Sequence, residues 1–288
     1  MPGCLLLVPT PLAQPDEASQ WLSEPDRRRV AALTRFYVET PKTARAWLQR
    51  VPLATPLAAV ELRALPRDAE QPRNAGDGAG AGGTGSAGWD DWLAPLRRGE
   101  DVGLLSDAGC PGIADPGAAL VAAAHAAGIG VVPLVGPSSI VLGLMASGLE
   151  GQRFAFHGYL PVEAAARTQA IRLLAARSAE RRETQIAIET PYRNGAFAAA
   201  LLANLPPSAR LCVASDLGGA AQSIRTRSVA DWRRTPPELD PKRPAIFLFQ
   251  AEPAPNPRRR DAGGRGADAA AGRQRSRDRA PAKPRSER

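Results

Sequence analysis

The 288-residue sequence predicts an α/β protein of two successive open sheets, with a joint near residues 136–152. Three observations carry that expectation. Short apolar runs alternate with longer helical runs, the rhythm of parallel strands joined by right-handed crossovers. Several apolar runs end in Gly- and Pro-rich turns, which is where open α/β sheets hold ligands. The pattern halts after residue 136 and restarts at Phe154.

Leu5–Val8 reads as a short apolar strand, and Arg35–Glu39, rich in aromatic and β-branched residues, as a second. Thr43–Val51 and Trp89–Arg98 have helical spacing, and Val102–Leu105 is a continuous apolar strand. Asp115 is placed to cap a helix with Pro116 at its first position, ending at Gly128 as the C-cap. Ile129–Leu134 is the next strand, and a helix runs from Pro137 to about Ser147. The second unit reads as strand Phe154–His157, helix Val162–Arg177, strand Thr184–Glu189, helix Asn194–Leu205 and strand Leu211–Ala214. A polar strand, Gln222–Thr226, a short helix around Asp231 and strand Ala245–Phe249 complete it. The expected domains are residues 1–136, with a Gly-rich insertion over 67–88, and residues 137–251, followed by a tail over 252–288.

Composition narrows the chemistry. Aromatics are 5% of the chain, so the core is aliphatic. Cys4, Cys110 and Cys212 are far apart and His125 and His157 are the only histidines, which argues against a metal site or a disulfide framework. The Cys4–Val8 run is too short for a signal peptide and no run is long enough to span a membrane, so a cytoplasmic protein is expected. Residues 257–288 hold eleven Lys or Arg against four Asp or Glu, nearly all of the net +8. The basic character therefore belongs to the tail and not to a body-wide nucleic-acid face. The tail and the Gly/Ala run within 67–88 have the composition of disordered segments. The G-x-G-x-x-G match at Gly78–Gly83 follows no strand and opens no helix, so it fails as a dinucleotide site. Walker A, H-E-x-x-H and G-x-S-x-G sequences are absent.

Four strand ends carry candidate chemistry. Leu104–Gly117 leaves a buried strand through a loop in which Gly109 and Gly112 let backbone amides approach a ligand and Asp107 offers an acceptor. Ser138 and Ser139 lie at a helix start, where free amides and hydroxyls suit a polar ligand, although capping is the commoner use. Glu189, Thr190, Tyr192 and Arg193 share one strand-to-helix turn. His157 and Tyr159 close the Arg153–Pro161 segment.

Taken together these stretches resemble the tetrapyrrole methylase superfamily, and within it the ribosomal RNA small subunit methyltransferase I branch. That branch carries S-D-A-G-x-P-x-x-x-D-P-G, which here is Ser106 to Gly117, then V-x-P-x-x-G-P-S, here Val131 to Ser138. A-S-G-L follows at Ala146 to Leu149, a relative of F-x-G-F-L-P at Phe156 to Pro161, and E-[ST]-P-x-R at Glu189 to Arg193. The family's A-T-P-I-G-N and A-E-D-T-R-x-T are similar to Val8–Ala13 and Val38–Thr43. The match runs from residue 4 to about 250 and is interrupted by the Gly-rich insertion.

The resemblance implies a two-domain tetrapyrrole-methylase fold with S-adenosylmethionine in the cleft between two α/β sheets, in a homodimer. It implies that Pro11, Leu12, Asp107, Ala108, Gly109, Cys110, Ser138 and Ser139 bind the cofactor, with Glu189, Thr190 and Tyr192 on the second-domain side. Glu39, Lys42 and Arg193 fall at substrate-binding positions, and Glu189 and His157 are the candidate catalytic bases. The implied activity is metal-free 2′-O-methylation of ribose in ribosomal RNA, free or in the small subunit. A small substrate such as a tetrapyrrole, and a non-catalytic cofactor- or RNA-binding assembly factor, are the alternatives. The sequence departs from the family at Leu12–Gln14, where Gly-Asn is missing, at Glu39–Lys42, which replaces E-D-T-R, and in having the basic tail where the family has a small helical domain.

Overall fold

A computed structural model describes residues 1–13, 21–66 and 88–252. Gln14, the Gly-rich insertion apart from Gly88, and the tail beyond Glu252 lie outside the described residues. The first sheet holds β1 (Cys4–Leu7), β2 (Arg35–Val38), β3 (Glu61–Ala64), β4 (Val102–Leu105) and β5 (Gly130–Pro133), in the order β3-β2-β4-β1-β5. Every pairing in it is parallel. All five carboxyl ends therefore open on one edge. β4 is buried throughout, as its uninterrupted apolar run requires of a central parallel strand.

The connecting helices are α1 (Glu24–Ala31), α2 (Pro41–Leu48), α3 (Asp90–Arg97) and α4 (Ala118–Ala126). One core cluster on this sheet is built around Val30, Phe36 and Trp47, and another around Tyr37, Trp92 and Leu120. α4 ends in a Schellman motif, with Gly128 in the left-handed region donating to the His125 carbonyl and Ile129 to the Ala124 carbonyl. Its start differs from the expectation. Gly117, not Asp115, is the N-cap, because the loop turns back through Ala114 and Gly112, both with positive φ.

The second sheet holds β6 (Phe154–Tyr159), β7 (Thr184–Glu189), β8 (Arg210–Ser215), β9 (Ser223–Ser228) and β10 (Ala245–Gln250), in the order β6-β7-β10-β8-β9. Only β6 and β7 run parallel; β10 lies antiparallel to both β7 and β8, and β8 to β9. Helix α5 (Ser139–Ser147) covers one face through Ile140, Leu142 and Leu144. Helices α6 (Ala164–Arg181), α7 (Asn194–Asn204) and α8 (Val229–Arg234) cover the other through Ile171, Phe197 and Trp232. Among the described residues no helix is long and apolar enough to cross a membrane.

Two elements escape the sequence reading. α1 buries only Val30, so it shows no apolar stripe, although Ser23 caps it by accepting from the Asp26 N–H. β3 is an edge strand with no fully buried residue, held to β2 by its ladder and by the Arg35–Glu61 ion pair.

Tyr37 is fully buried, and its hydroxyl donates to the Trp92 carbonyl beneath an edge-on indole. Burial pushes its phenol up to about 12, against weaker opposing effects of Arg35 and Arg63. A folded-state value above the unfolded value of about 10 contributes stability below pH 10 that is lost as the pH climbs towards 12. Between pH 9 and 11 the wild type should therefore lose about 1.4 kcal/mol more than Tyr37→Phe in denaturant titrations. Parallel losses in the two proteins would show that the phenol does not titrate this way.

Candidate active site

Three strand-end loops of the first sheet are pinned to one another. Thr10, after β1, and Gly109, after β4, exchange two backbone hydrogen bonds of 2.8 and 3.0 Å. Gly109 has φ +84, a left-handed conformation that a side chain would strain. The Thr10 hydroxyl donates to the Ser106 carbonyl at 3.2 Å. The Cys110 thiol donates to the Pro137 carbonyl at 3.4 Å, tying in the loop after β5. Burial, then the Asp115 carboxylate, pushes that thiol up. Glu39, at the end of β2, accepts the Asp107 N–H at 2.8 Å and so braces the same loop from the other side.

These loops face the second sheet across a cleft of about 220 Å³. Leu12, Ala108, Gly109 and Cys110 line it, with Ser138 and Ser139 at the start of α5. The Ser138 hydroxyl makes no capping bond to the helix. The opposite wall is Phe156 and Tyr159 from β6, Ile188 and Glu189 from β7, and the start of β10. Phe156 and Tyr159 share a face although they are three positions apart, because the strand bulges between them at Gly158, whose φ is +62.

Glu189 is a buried carboxylate with each oxygen engaged. One accepts from the Thr190 N–H at 2.8 Å and the Thr190 hydroxyl at 3.2 Å, and the other pairs with the Arg193 guanidinium at 2.9 Å. Asp115 lines the cleft as a second carboxylate, and neither Lys nor Arg is among the lining residues described. Burial, then Asp115, Glu189 and Glu39, push the Tyr159 phenol above its ordinary value. The cleft is thus apolar in its walls and anionic at its edge, a setting for a cation with an apolar body.

The other sequence candidates sit elsewhere. Pro11 is buried behind the lining, and Asp107 reaches the site only through its loop. Thr190 serves Glu189, and Tyr192 is 73% exposed on the adjoining 3-10 turn. Lys42 is exposed on α2, outside the lining. The sequence candidate His157 does not line the cleft. It meets Gln185 at 2.7 Å, and burial pushes its imidazole down. Strand alternation is the reason, since Phe156 faces the cleft and His157 therefore the other side of the sheet, while the bulge at Gly158 brings Tyr159 to the cleft. Sequence reasoning also missed Ile113, Leu217 and Pro244–Ile246. The apolar Ala245–Phe249 run marked a strand, but nothing in it gave the antiparallel direction that brings its first residues to the cleft. No cluster of three or more His, Cys, Asp or Glu able to hold a metal occurs among the described residues.

No family model matches the chain. It is 37% identical over 144 residues to the ribosomal RNA small subunit methyltransferase I of Pseudomonas aeruginosa, a stretch that is 49% of this chain and 50% of the relative. It is 35% identical over 171 residues to the protein of that name from Neisseria meningitidis serogroup B, covering 57% of this chain and 55% of the relative. The chain thus spans about half the length of the curated relatives it matches. The resemblance drawn from the motifs is upheld by these matches. The solved methyltransferase CobJ superposes on 86% of this chain and 95% of its own, with a TM-score of 0.54 and 16% identity, so the two share a fold.

Proposed function

We propose that this chain is an S-adenosylmethionine-dependent methyltransferase that methylates a ribose 2′-hydroxyl of ribosomal RNA, in the cytoplasm, as a homodimer. The observation that carries the reading is the cleft, an apolar pocket with a carboxylate edge framed by three mutually pinned strand-end loops. The residues present fit the cofactor. Ile113, Ile140 and Ile188 offer a flat apolar wall for an adenine, and the Asp115 and Glu189 carboxylates suit a sulfonium and an ammonium. The free first-turn amides of α5 and the uncommitted Ser138 hydroxyl suit a carboxylate. When bound, S-adenosylmethionine supplies a methyl group already activated on sulfur.

The chain's own contribution is then orientation. Loops locked by the Thr10–Gly109 and Cys110–Pro137 bonds hold one partner rigid, which is where the rate gain of an in-line displacement arises. Glu189 is occupied by Thr190 and Arg193, so its role is to hold negative charge at the cleft edge and orient, rather than to take the ribose proton. Glu39 positions the Ser106–Cys110 loop. We place the domain boundary at residue 136, because α5, which follows it, packs on the second sheet. The homodimer rests on three large apolar side chains in one segment: Val135 is 77% exposed, Val141 52% and Met145 74%, the last two one turn apart on α5.

The test is incubation with methyl-labelled S-adenosylmethionine and small ribosomal subunits from a strain lacking the gene. Label should appear in the RNA and map to a ribose, and light scattering should give twice 30.3 kDa. Calorimetric cofactor binding with no label in RNA would overturn the substrate, and failure to bind the cofactor would overturn the activity itself.

A further inference from the structure

A second groove opens on the far side of the second sheet, away from the cleft. Its floor is Val213 and Ser215 of β8 and Ser223, Arg225 and Arg227 of β9; its wall is the Thr235–Leu239 segment after α8. Residues 223, 225 and 227 share this face by strand alternation. Ile224 and Thr226 face the other way, towards α5 and the Ser147 carbonyl.

The two arginines are the notable groups. Among the described residues neither forms an ion pair, although Glu238 lies in the facing wall. Arg225 is exposed and makes no hydrogen bond there. The Arg227 guanidinium carbon lies over the Trp232 ring, 4.9 Å from its centroid, and that indole is fixed in turn, donating to the Leu211 carbonyl at 2.8 Å. A guanidinium held over an aromatic ring keeps N–H donors available for a phosphate and has less freedom left to lose on binding one. Two residues apart on an extended strand, the guanidinium stems are about 7 Å apart, close to the step between successive phosphates of an extended nucleic-acid strand. The hydroxyls of Ser215, Ser223 and Thr235 line the same groove, and the Glu238 carboxylate accepts from a hydroxyl, as a ribose supplies and a bare anion does not.

We infer that this groove is a phosphate-backbone anchor for single-stranded RNA, gripping two adjacent phosphates through Arg225 and Arg227. The choice of RNA rests on the substrate reading above; the phosphate chemistry does not. In the groove the polymer is held without regard to sequence, at a site separate from the one that acts on it.

The experiment is fluorescence anisotropy with a labelled single-stranded RNA oligonucleotide on the full chain, over a range of salt. Arg225→Gln/Arg227→Gln should weaken binding roughly tenfold to hundredfold at low salt and flatten the log–log salt slope by about 1.4, two contacts at about 0.7 each. Arg225→Glu, which disturbs no partner, should weaken binding while leaving the melting temperature and calorimetric cofactor binding unchanged. Wild-type affinity and slope in both variants would overturn the anchor. Calorimetric binding of inorganic phosphate without arginine-dependent RNA binding would overturn it too, in favour of a small-anion site. The two readings fail separately. RNA methylated at wild-type efficiency by variants with unaltered RNA affinity sinks the anchor alone, and arginine-dependent RNA binding without methylation sinks the substrate alone.

Discussion

Gly136→Ala should cost about 2–4 kcal/mol of folding stability and weaken cofactor binding at least tenfold. A Cβ on Gly136 would lie 2.1 Å from Pro9 Cγ and 2.3 Å from Pro9 Cβ. The proline ring has no rotamer to escape into, so one backbone must move. Both belong to the pinned frame: Pro9 follows β1, and Leu134, after β5, donates to the Leu7 carbonyl at 3.0 Å. Forcing them apart separates the first loop from the start of α5, which are two walls of the cleft. Gly195→Ala is the control. Its Cβ meets nothing within 4 Å, and it lies in α7, where alanine should add up to about 1 kcal/mol. Equal denaturation midpoints for Gly136→Ala and wild type would refute the close contact.

The second large effect is at Glu189. Its side chain is 3% exposed and its guanidinium partner 24%, so removing the partner leaves a nearly buried charge. Arg193→Ala should cost about 2–3 kcal/mol, at the lower end for a buried pair because Arg193 keeps some water. Glu189→Gln/Arg193→Ala should be more stable than Arg193→Ala alone, since the stranded charge is gone. If Glu189 orients the cationic donor, the double variant should still lose methylation at least tenfold, with cofactor affinity falling in step. A double variant no more stable than Arg193→Ala would mean that the charge is not stranded. Full activity in it would remove Glu189 from the site.

How far the sequence carried depended on how local the determining physics was. The Leu104–Gly117 loop was legible because a buried parallel strand, a left-handed Gly109 and a helix start lie within one stretch. Every strand but the edge strand β3 was legible for the same reason. The partners that meet only in space were not. Nothing around Ala245–Phe249 says that this run enters antiparallel between β7 and β8, so its share of the cleft wall was missed. His157 lies on the face of β6 opposite Phe156, and that Tyr159 reaches the cleft depends on a bulge at Gly158 that no local pattern announces. Asp115 was taken for a cap, although Gly117 starts α4 and the Asp115 carboxylate lies in the cleft. α1 was invisible because one buried valine among arginines leaves no period to detect.

The position of β10 also sets the order in which the protein is completed during synthesis. All strands of the first sheet are present once Pro133 has been made. The second sheet has its central strand last, at Ala245–Gln250, between β7 and β8. Until then, both strands hold an unpaired edge where β10 will insert, the template on which chains join to one another. Termination shortly before residue 245 would thus release a chain with every strand of the first sheet and an open gap in the second. Truncation there should yield aggregates rather than a trimmed, folded protein.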